Sequence, residues 1–113
     1  MHELSLAEGV LHILQDQAKA QDFTTVKTVW LEIGELSHVD PHAMAFCFGA
    51  VTKGTLADGA KLEIVRKPGR AWCLDCEEKI SISSLVDPCP KCGGHHTEVT
   101  DGDDMRVKEL EVD

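Results

Sequence analysis

Apolar residues near the start of the chain recur at spacings of three and four, the pattern of a helix with one buried side. They are Leu4, Ala7, Leu11, Leu14 and Ala18. Ser5 followed by Glu8 has the spacing of a capping box, in which two side chains satisfy free N–H groups at a helix start. The sequence therefore predicts a first helix that begins near Ser5 and ends near Gln21.

The next segment alternates between apolar and polar residues, as a strand with one buried face does. In "TVKTVWLEI" the apolar residues Val29, Leu31 and Ile33 share one face. Gly34 follows directly and is expected to close this strand.

A second helix is predicted from its start signal, because Asp40 is a good N-cap and Pro41 suits the first helical position. Its inner side is formed by Met44, Cys47, Phe48 and Val51. Phe46 falls on the opposite side, which allows this helix to be covered on two sides. Cys47, between two phenylalanines, is expected to be a small buried apolar residue.

Two further strands complete the pattern. "KLEIVRKP" places Leu62 and Ile64 on one face, and a strand, helix and strand in series favour a parallel pair with a right-handed crossover. "DMRVKELEV" indicates a last strand that returns to the first sheet, with a slip near Lys108 and Glu109 that suggests a bulge. Between them, residues 69–96 have weak apolar periodicity and hold four cysteines, so they form an insertion between strands.

Length and charge exclude several classes of protein. A chain of 113 residues is one domain, or one small domain with an appendage. Its net charge of −9 repels nucleic acids and suits cations or a basic partner, or serves only solubility. There is neither a membrane span nor a secretory signal, so we expect a cytoplasmic protein without nucleic-acid or membrane partners.

The four cysteines of the insertion are arranged as "CLDC" and "CPKCGG", which are Cys73, Cys76, Cys89 and Cys92. Two residues between thiolates let one tight turn aim both sulfurs at one ion, and the glycines after Cys92 permit the backbone that such a turn needs. Cysteines of a cytosolic protein are more often metal ligands than disulfides. The spacing predicts a closed structural Zn(II) site with four thiolates.

Other interpretations of the cysteines are weaker. Iron in a rubredoxin-like site uses the same ligands, but it is packed among aromatic residues, and this segment offers only Trp72. A redox pair needs a single CxxC motif rather than two. A zinc hydrolase needs an open coordination position, and a zinc-ribbon adaptor for nucleic acid needs a basic patch that the sequence lacks.

The N-terminal "MHE" is a second candidate metal site. The α-amine of Met1 and the amide nitrogen of His2 can close a five-membered ring on a metal, and the His2 amide and its own Nδ1 a six-membered one. A fourth ligand can come from Glu3 or from another chain. Nitrogen ligands in a plane favour Ni(II) or Cu(II). A histidine at this position alone is also compatible with no metal role.

The remaining histidines have no assigned role at this point. His12 lies off the apolar stripe and is expected in solvent. His38 and His42 flank the predicted helix cap and are either surface residues or auxiliary ligands. His95 and His96 follow the second cysteine pair closely and are loop residues or influence the neighbouring thiolate site as they titrate.

The motifs together resemble one known family. "MHELSL" at the start, "EIGELSHVDPHAMAFCF" in the middle, "GAKLEI" and the CxxC…CPxCG segment are similar, in order and spacing, to the HypA/HybF nickel-incorporation proteins of hydrogenase maturation. The resemblance runs over essentially the whole chain. The combination of an MHE start with this cysteine spacing is specific, whereas either motif alone is not.

The resemblance implies an α+β fold, with two helices packed on a small mixed three-stranded sheet and an inserted zinc-ribbon-like domain with four cysteine ligands. The nickel domain would comprise residues 1–68 and 102–113, and the zinc domain residues 69–101. It implies a monomeric or homodimeric metallochaperone without catalytic turnover, which works with the GTPase HypB and delivers Ni(II) to the large subunit of a NiFe-hydrogenase.

The same resemblance implies the site residues. Nickel would be bound at Met1, His2 and Glu3, with Asp40 as an acidic residue beside that site. Zinc would be held by the four cysteines of the insertion. Because the "GGHHTEV" loop is variable in such proteins, the resemblance implies no role for His95 or His96.

Overall fold

A computed structural model of the chain describes residues 2–113. Within that range it has two helices and six strands, in the order α1 (Glu3–Gln21), β1 (Val26–Gly34), α2 (Pro41–Val51), β2 (Lys61–Lys67), β3 (Arg70–Cys73), β4 (Glu78–Ser81), β5 (Thr97–Asp101) and β6 (Met105–Val112). The strands form two three-stranded sheets, ordered β2-β1-β6 and β4-β3-β5. The fold is therefore α+β, as predicted. No helix within residues 2–113 is long and apolar enough to cross a membrane.

The chain divides into two compact units. Unit 1 contains the residues up to Leu31, Val39–Val65 and Val107–Asp113, and unit 2 contains Glu32–His38 and Arg66–Arg106. Unit 2 thus includes a segment from before α2 that the predicted boundary at residue 69 did not anticipate. The assignment of a nickel domain and a zinc domain to particular residues stays a prediction.

The first helix begins two residues earlier than predicted. Its N-cap is His2, whose carbonyl accepts the N–H of Leu6 at 3.0 Å, so Ser5 and Glu8 form no capping box. The buried side also differs from the predicted stripe, because Leu4 is 53% exposed. The buried residues of α1 are Glu3, Ala7, Val10 and Leu14. A polar residue, Glu3, therefore occupies a buried position in the first turn.

β1 is the middle strand of a mixed sheet. The N–H of Asp113 donates to the carbonyl of Thr25 at 2.9 Å, so the end of β6 lies beside the start of β1 and these strands are antiparallel. On the other side, the N–H of Glu35 donates to the carbonyl of Lys67 at 3.0 Å. This bond joins the C-terminal ends of β1 and β2, which therefore run in parallel. The predicted return of the last strand to the first sheet is confirmed.

The second helix begins as predicted. The carboxylate of Asp40 accepts the N–H groups of His42 at 2.8 Å and Ala43 at 3.3 Å, two of the donors that have no partner within the helix. Met44 and Phe48 are fully buried, whereas Cys47 is only half-buried. Phe46 is 79% exposed, so no element of residues 2–113 covers this side of α2.

Unit 2 has a small apolar core of its own, formed by Leu36, Ala71, Cys73, Ile80, Ile82 and Cys89. β3 lies in the middle of its sheet and pairs in antiparallel fashion with β4 and β5. The N–H of Leu36 donates to the carbonyl of Gly102 at 2.7 Å. This contact, with the packing of the Leu36 side chain, explains why the segment before α2 belongs to unit 2.

Candidate metal sites

Four cysteine sulfurs of unit 2 lie together. The Sγ atoms of Cys73, Cys76, Cys89 and Cys92 are all within 4.8 Å of one another. The Sγ atoms of Cys73 and Cys92 are 3.7 Å apart, and those of Cys76 and Cys89 are 3.9 Å apart. Among residues 2–113 no other group of three or more potential ligands converges in this way.

Two matching backbone turns present these sulfurs. The N–H of Cys76 donates to the Sγ of Cys73 at 3.4 Å, and the N–H of Lys91 donates to the Sγ of Cys89 at 3.4 Å. The residue after each pair has a left-handed backbone, with φ of 52° at Glu77 and 73° at Gly93. Glycine adopts this conformation without strain, and Glu77 does so at a steric cost. The two CxxC segments therefore form the pair of turns that the spacing predicted.

The sulfur arrangement fits a tetrahedral zinc ion. Metal–sulfur bonds of about 2.3 Å in a tetrahedron place neighbouring sulfurs about 3.8 Å apart, close to the two distances above. Among the thiols, the backbone N–H of Cys92 lowers the pKa of Cys89 to about 7, whereas a hydrogen bond with the side chain of Cys92 raises the pKa of Cys76 to about 12. Four thiolates therefore require a bound cation to offset their charge.

The surroundings of the cluster are less favourable to rubredoxin-type iron. No aromatic side chain belongs to the core cluster that contains Cys73 and Cys89. Trp72 is 40% exposed. Because the aromatic side chains that surround such iron are absent from this core, zinc is the better fit to these residues.

A contact between two exposed polar side chains lies next to the first cysteine turn. Nδ1 of His96 is 3.2 Å from a carboxylate oxygen of Asp75, and both side chains are mostly exposed. His95 is exposed as well. The sequence placed both histidines in a loop near the thiolates, and the contact of His96 with Asp75 could not be read from their spacing.

The N-terminal candidate site is only partly described. Met1, the predicted source of an α-amine ligand, lies outside the described residues. His2 is exposed, and its side chain makes no capping hydrogen bond to α1. The first N–H groups of a helix have no carbonyl partner within it, so no helical hydrogen bond holds the amide of His2, while the N–H of Glu3 contacts the carboxylate of its own side chain.

The sequence suggested the side chain of Glu3 as a metal ligand, but in the structure its carboxylate binds a backbone N–H. Its Oε2 accepts the backbone N–H of Asp40 at 3.3 Å, and Glu3 is only 7% exposed. The N–H groups of Asp40 and of Glu3 itself hold the pKa of this carboxyl below its usual value. Glu3 and Asp40, both predicted at the nickel site, are therefore brought together by the fold.

The other histidines do not join either site. His12, His38 and His42 are all exposed. His38 has a left-handed backbone with φ of 62°, and His42 contributes its N–H to the Asp40 cap. The predicted solvent exposure of His12 is confirmed, and the fifth cysteine, Cys47, is separate from the four-sulfur cluster.

Comparisons with known proteins agree with this geometry. A family model for hydrogenase/urease nickel incorporation, the metallochaperone HypA, matches residues 1–112. The hydrogenase maturation factor HypA of Azotobacter vinelandii is 56% identical over 113 residues, covering 100% of both chains. The HypA of Rhodopseudomonas palustris (strain BisA53) is also 56% identical over the same length.

Solved structures extend the likeness to the fold. The solution structure of the Ni metallochaperone HypA from Helicobacter pylori has a TM-score of 0.74 at 26% identity. The alignment covers 99% of this chain and 97% of that one. Together with the match of the family model over nearly the whole sequence, these similarities show that the chain belongs to the HypA family of nickel-incorporation metallochaperones.

Proposed function

We propose that the chain binds one Ni(II) ion at Met1, His2 and Glu3 and delivers it to the large subunit of a NiFe-hydrogenase. Membership of the HypA family supports a nickel metallochaperone of hydrogenase maturation. The observation that carries the site is the exposed His2 at the start of α1, where backbone amides have no helical partner. There the imidazole and adjacent amides supply nitrogen ligands suited to Ni(II).

In this proposal Glu3 contributes its backbone amide rather than its carboxylate. The carboxylate is buried and engaged with the N–H of Asp40, so its role is to fix the first turn of α1 against the start of α2. Asp40 then lies beside the site as a helix cap and a source of negative charge. This arrangement leaves the amine, amides and imidazole as the nickel ligands.

The second ion in the proposal is a structural Zn(II), held by Cys73, Cys76, Cys89 and Cys92. Their sulfur distances fit a closed tetrahedron, which leaves no position for a substrate. We therefore propose that the chain acts without catalytic turnover. It works in the cytoplasm with the GTPase HypB, which we propose as its partner in nickel transfer.

The nickel site is tested by adding two residues ahead of Met1, which converts its amine to an amide and breaks one chelate ring. His2→Ala breaks the other ring by removing the imidazole. Both changes are expected to abolish most Ni(II) affinity, measured by calorimetry on untagged protein, while zinc content and the unfolding midpoint stay unchanged. His12→Ala is the matched control, because His12 is an exposed histidine of α1, the helix that follows His2.

The pH dependence of binding provides a second readout. An α-amine has an ordinary pKa of about 7.7–8.0 and must lose its proton to bind a metal, so Ni(II) affinity is expected to fall as the pH drops below neutrality. A chain with the two-residue extension that binds Ni(II) as tightly as the native chain would place the site elsewhere, among His38, His42, His95 and His96.

A further inference from the structure

The four clustered cysteines of unit 2 differ in their access to solvent. Cys73 and Cys89 are buried, with exposed fractions of 0% and 1%, and Cys76 is half-buried. Cys92 is exposed. A closed structural zinc site accounts for the convergence of the four sulfurs, but it does not require one of its ligands to lie at the surface. Cys92 is therefore the ligand that a small reagent in solvent reaches most easily.

Two glycines follow Cys92 and leave the space beside its sulfur open. A Cβ added at Gly94 would lie 3.4 Å from the Sγ of Cys92 and 3.2 Å from a carboxylate oxygen of Asp75. A Cβ added at Gly93 would meet no atom of residues 2–113 within 4 Å. Gly93 has a φ of 73°, which favours glycine, whereas the backbone of Gly94 makes no such demand. The missing side chain at Gly94 thus gives direct access to the sulfur.

A second sulfur lies close enough to react with an oxidised Cys92. The Sγ of Cys73 is 3.7 Å from the Sγ of Cys92, although the two residues are 19 positions apart in the chain. Cys73 is buried, so its sulfur is shielded from solvent while it faces Cys92. Zinc binding requires both residues as thiolates, which is also their nucleophilic form. The pair therefore combines one exposed thiolate with one buried thiolate beside it.

We propose that Cys92 is an oxidation site, through which hydrogen peroxide converts the Cys73–Cys92 pair to a disulfide and releases zinc from unit 2. The thiolate of Cys92 attacks one oxygen of the peroxide, so that an S–O bond forms, the O–O bond breaks and hydroxide leaves. The product is a sulfenic acid at Cys92. The thiolate of Cys73 then attacks this sulfur, so that the S–S bond forms, the S–O bond breaks and a second hydroxide leaves. The two sulfurs lose two electrons, and the peroxide gains them.

The disulfide makes the folding of unit 2 sensitive to peroxide. It removes two of the four zinc ligands, and a structural zinc site needs all four. The apolar core of unit 2 has only six residues, of which Cys73 and Cys89 are themselves ligands, so loss of zinc is expected to disorder this unit. Unit 1 contains none of the four cysteines and should stay folded. In the cytoplasm, where we propose that the chain works, such disulfides are usually transient and redox-sensing. The inference rests on the proposed zinc ligands and is independent of the nickel site.

The test treats the full, untagged, zinc-loaded chain with an equimolar amount of hydrogen peroxide. A colorimetric chelator follows the release of zinc, and the remaining thiols are alkylated for peptide mapping by mass spectrometry. We expect dimedone, which traps sulfenic acids, to label Cys92 first. Without dimedone, the map should show a disulfide between Cys73 and Cys92, with Cys76 and Cys89 alkylated. Dithiothreitol and Zn(II) together should restore stoichiometric zinc, because a disulfide is reversible.

A glycine replacement tests access to Cys92 without changing a ligand. Gly94→Ala places a methyl group 3.4 Å from the sulfur, so we expect zinc release several-fold slower than in the native chain at equal starting zinc content. Gly9→Ala is the matched control, because a Cβ at Gly9 in α1 meets no described atom within 4 Å. Gly9→Ala and Cys47→Ala should both release zinc at the native rate. The second of these variants tests whether the fifth cysteine is attacked first.

The peptide map of the native chain decides the inference even if a variant folds poorly. First labelling of another cysteine, a disulfide that lacks Cys73 or Cys92, or zinc retained after peroxide treatment overturns it. Zinc release from Gly94→Ala at the native rate also overturns it. A native chain that holds no zinc before peroxide is added overturns the proposed zinc site and this inference together. The nickel site is judged separately by its own titration.

Discussion

The carboxylate of Glu3 accepts the backbone N–H of Asp40, two residues separated by 37 positions in the chain, with 3.3 Å between Oε2 and the nitrogen. Asp40 in turn caps α2 through its own side chain. One hydrogen bond therefore connects the first turn of α1 to the cap of α2. The buried carboxylate of Glu3 is thus engaged in a contact within the fold, although it lies next to His2, which we propose as a nickel ligand.

Two replacements of Glu3 distinguish a structural role of its carboxylate from a role as a nickel ligand. Glu3→Gln keeps an oxygen that can accept the Asp40 N–H, whereas Glu3→Ala removes it. We expect the glutamine variant to bind Ni(II) almost as tightly as the native chain, and the alanine variant to bind it more weakly, because the two helix starts lose their connection. Strong loss of affinity in the glutamine variant, measured by calorimetry, would instead make the carboxylate itself a ligand.

The stability of the native chain relative to Glu3→Gln should depend on pH. The folded pKa of Glu3 is lowered from its ordinary value of 4.5, mainly by the Asp40 N–H, so the folded state favours the ionised carboxyl. This stabilisation is fully present above 4.5 and is lost as the pH falls through the lowered pKa. Melting temperatures of the two proteins are therefore expected to converge on acidification. A difference in melting temperature that grows toward low pH would contradict the lowered pKa of Glu3 in the folded chain.

Asp40 is expected to stabilise α2 chiefly as an N-cap. Asp40→Ala removes the acceptor for His42 and Ala43 N–H groups and should cost about 1 kcal/mol in urea unfolding. Asp40→Asn keeps the cap and removes the charge, so its stability should remain close to native. Weaker Ni(II) binding by the asparagine variant at unchanged stability would show that the charge supports the nickel site, and equal binding would leave Asp40 a purely structural role.

The zinc ligands can be tested with the fifth cysteine as control. Cys89→Ala leaves three thiolates and removes a buried side chain from the unit 2 core, so we expect loss of stoichiometric zinc and rapid amide exchange from Gly69 to His96. α1 and α2 should remain folded. The Cys47→Ala variant should retain stoichiometric zinc, because Cys47 lies outside the four-sulfur cluster. Full zinc content and protected amides in Cys89→Ala would show that the ligand set is wrong.

Local signals in the sequence were sufficient for α2 and for the cysteine turns. Asp40 followed by Pro41 fixes a helix start through bonds between near neighbours, and each CxxC segment forms its turn within a few residues. The start of α1 could not be found in this way. The Ser5–Glu8 spacing indicated a helix start near Ser5. The helix instead begins at Glu3, whose buried carboxylate accepts the N–H of Asp40, a residue far along the chain.

The extent of unit 2 was similarly hidden from the sequence. Leu36 follows a strand and precedes a helix, so its position in the chain suggests a connecting loop. Its side chain nevertheless packs with Ala71 and Ile80, far along the chain, because the Cys-rich segment alone offers few apolar residues. Periodicity reports which face of one element is buried, and it does not report which distant element covers that face.

A tight backbone contact in unit 2 gives a test that is independent of metal. A Cβ at Gly34 would overlap the backbone carbonyl of Gly102, and that carbonyl is held by the N–H of Leu36 at 2.7 Å. Gly34→Ala must therefore displace backbone, and we expect it to lower the free energy of unfolding by about 1–3 kcal/mol. Gly49→Ala is the control, since a Cβ at Gly49 meets no atom within 4 Å and alanine favours the helix by about 0.5–1 kcal/mol. Urea unfolding of both variants checks the contact, and equal stability of Gly34→Ala and the native chain would show that β1 and Gly102 are not so close.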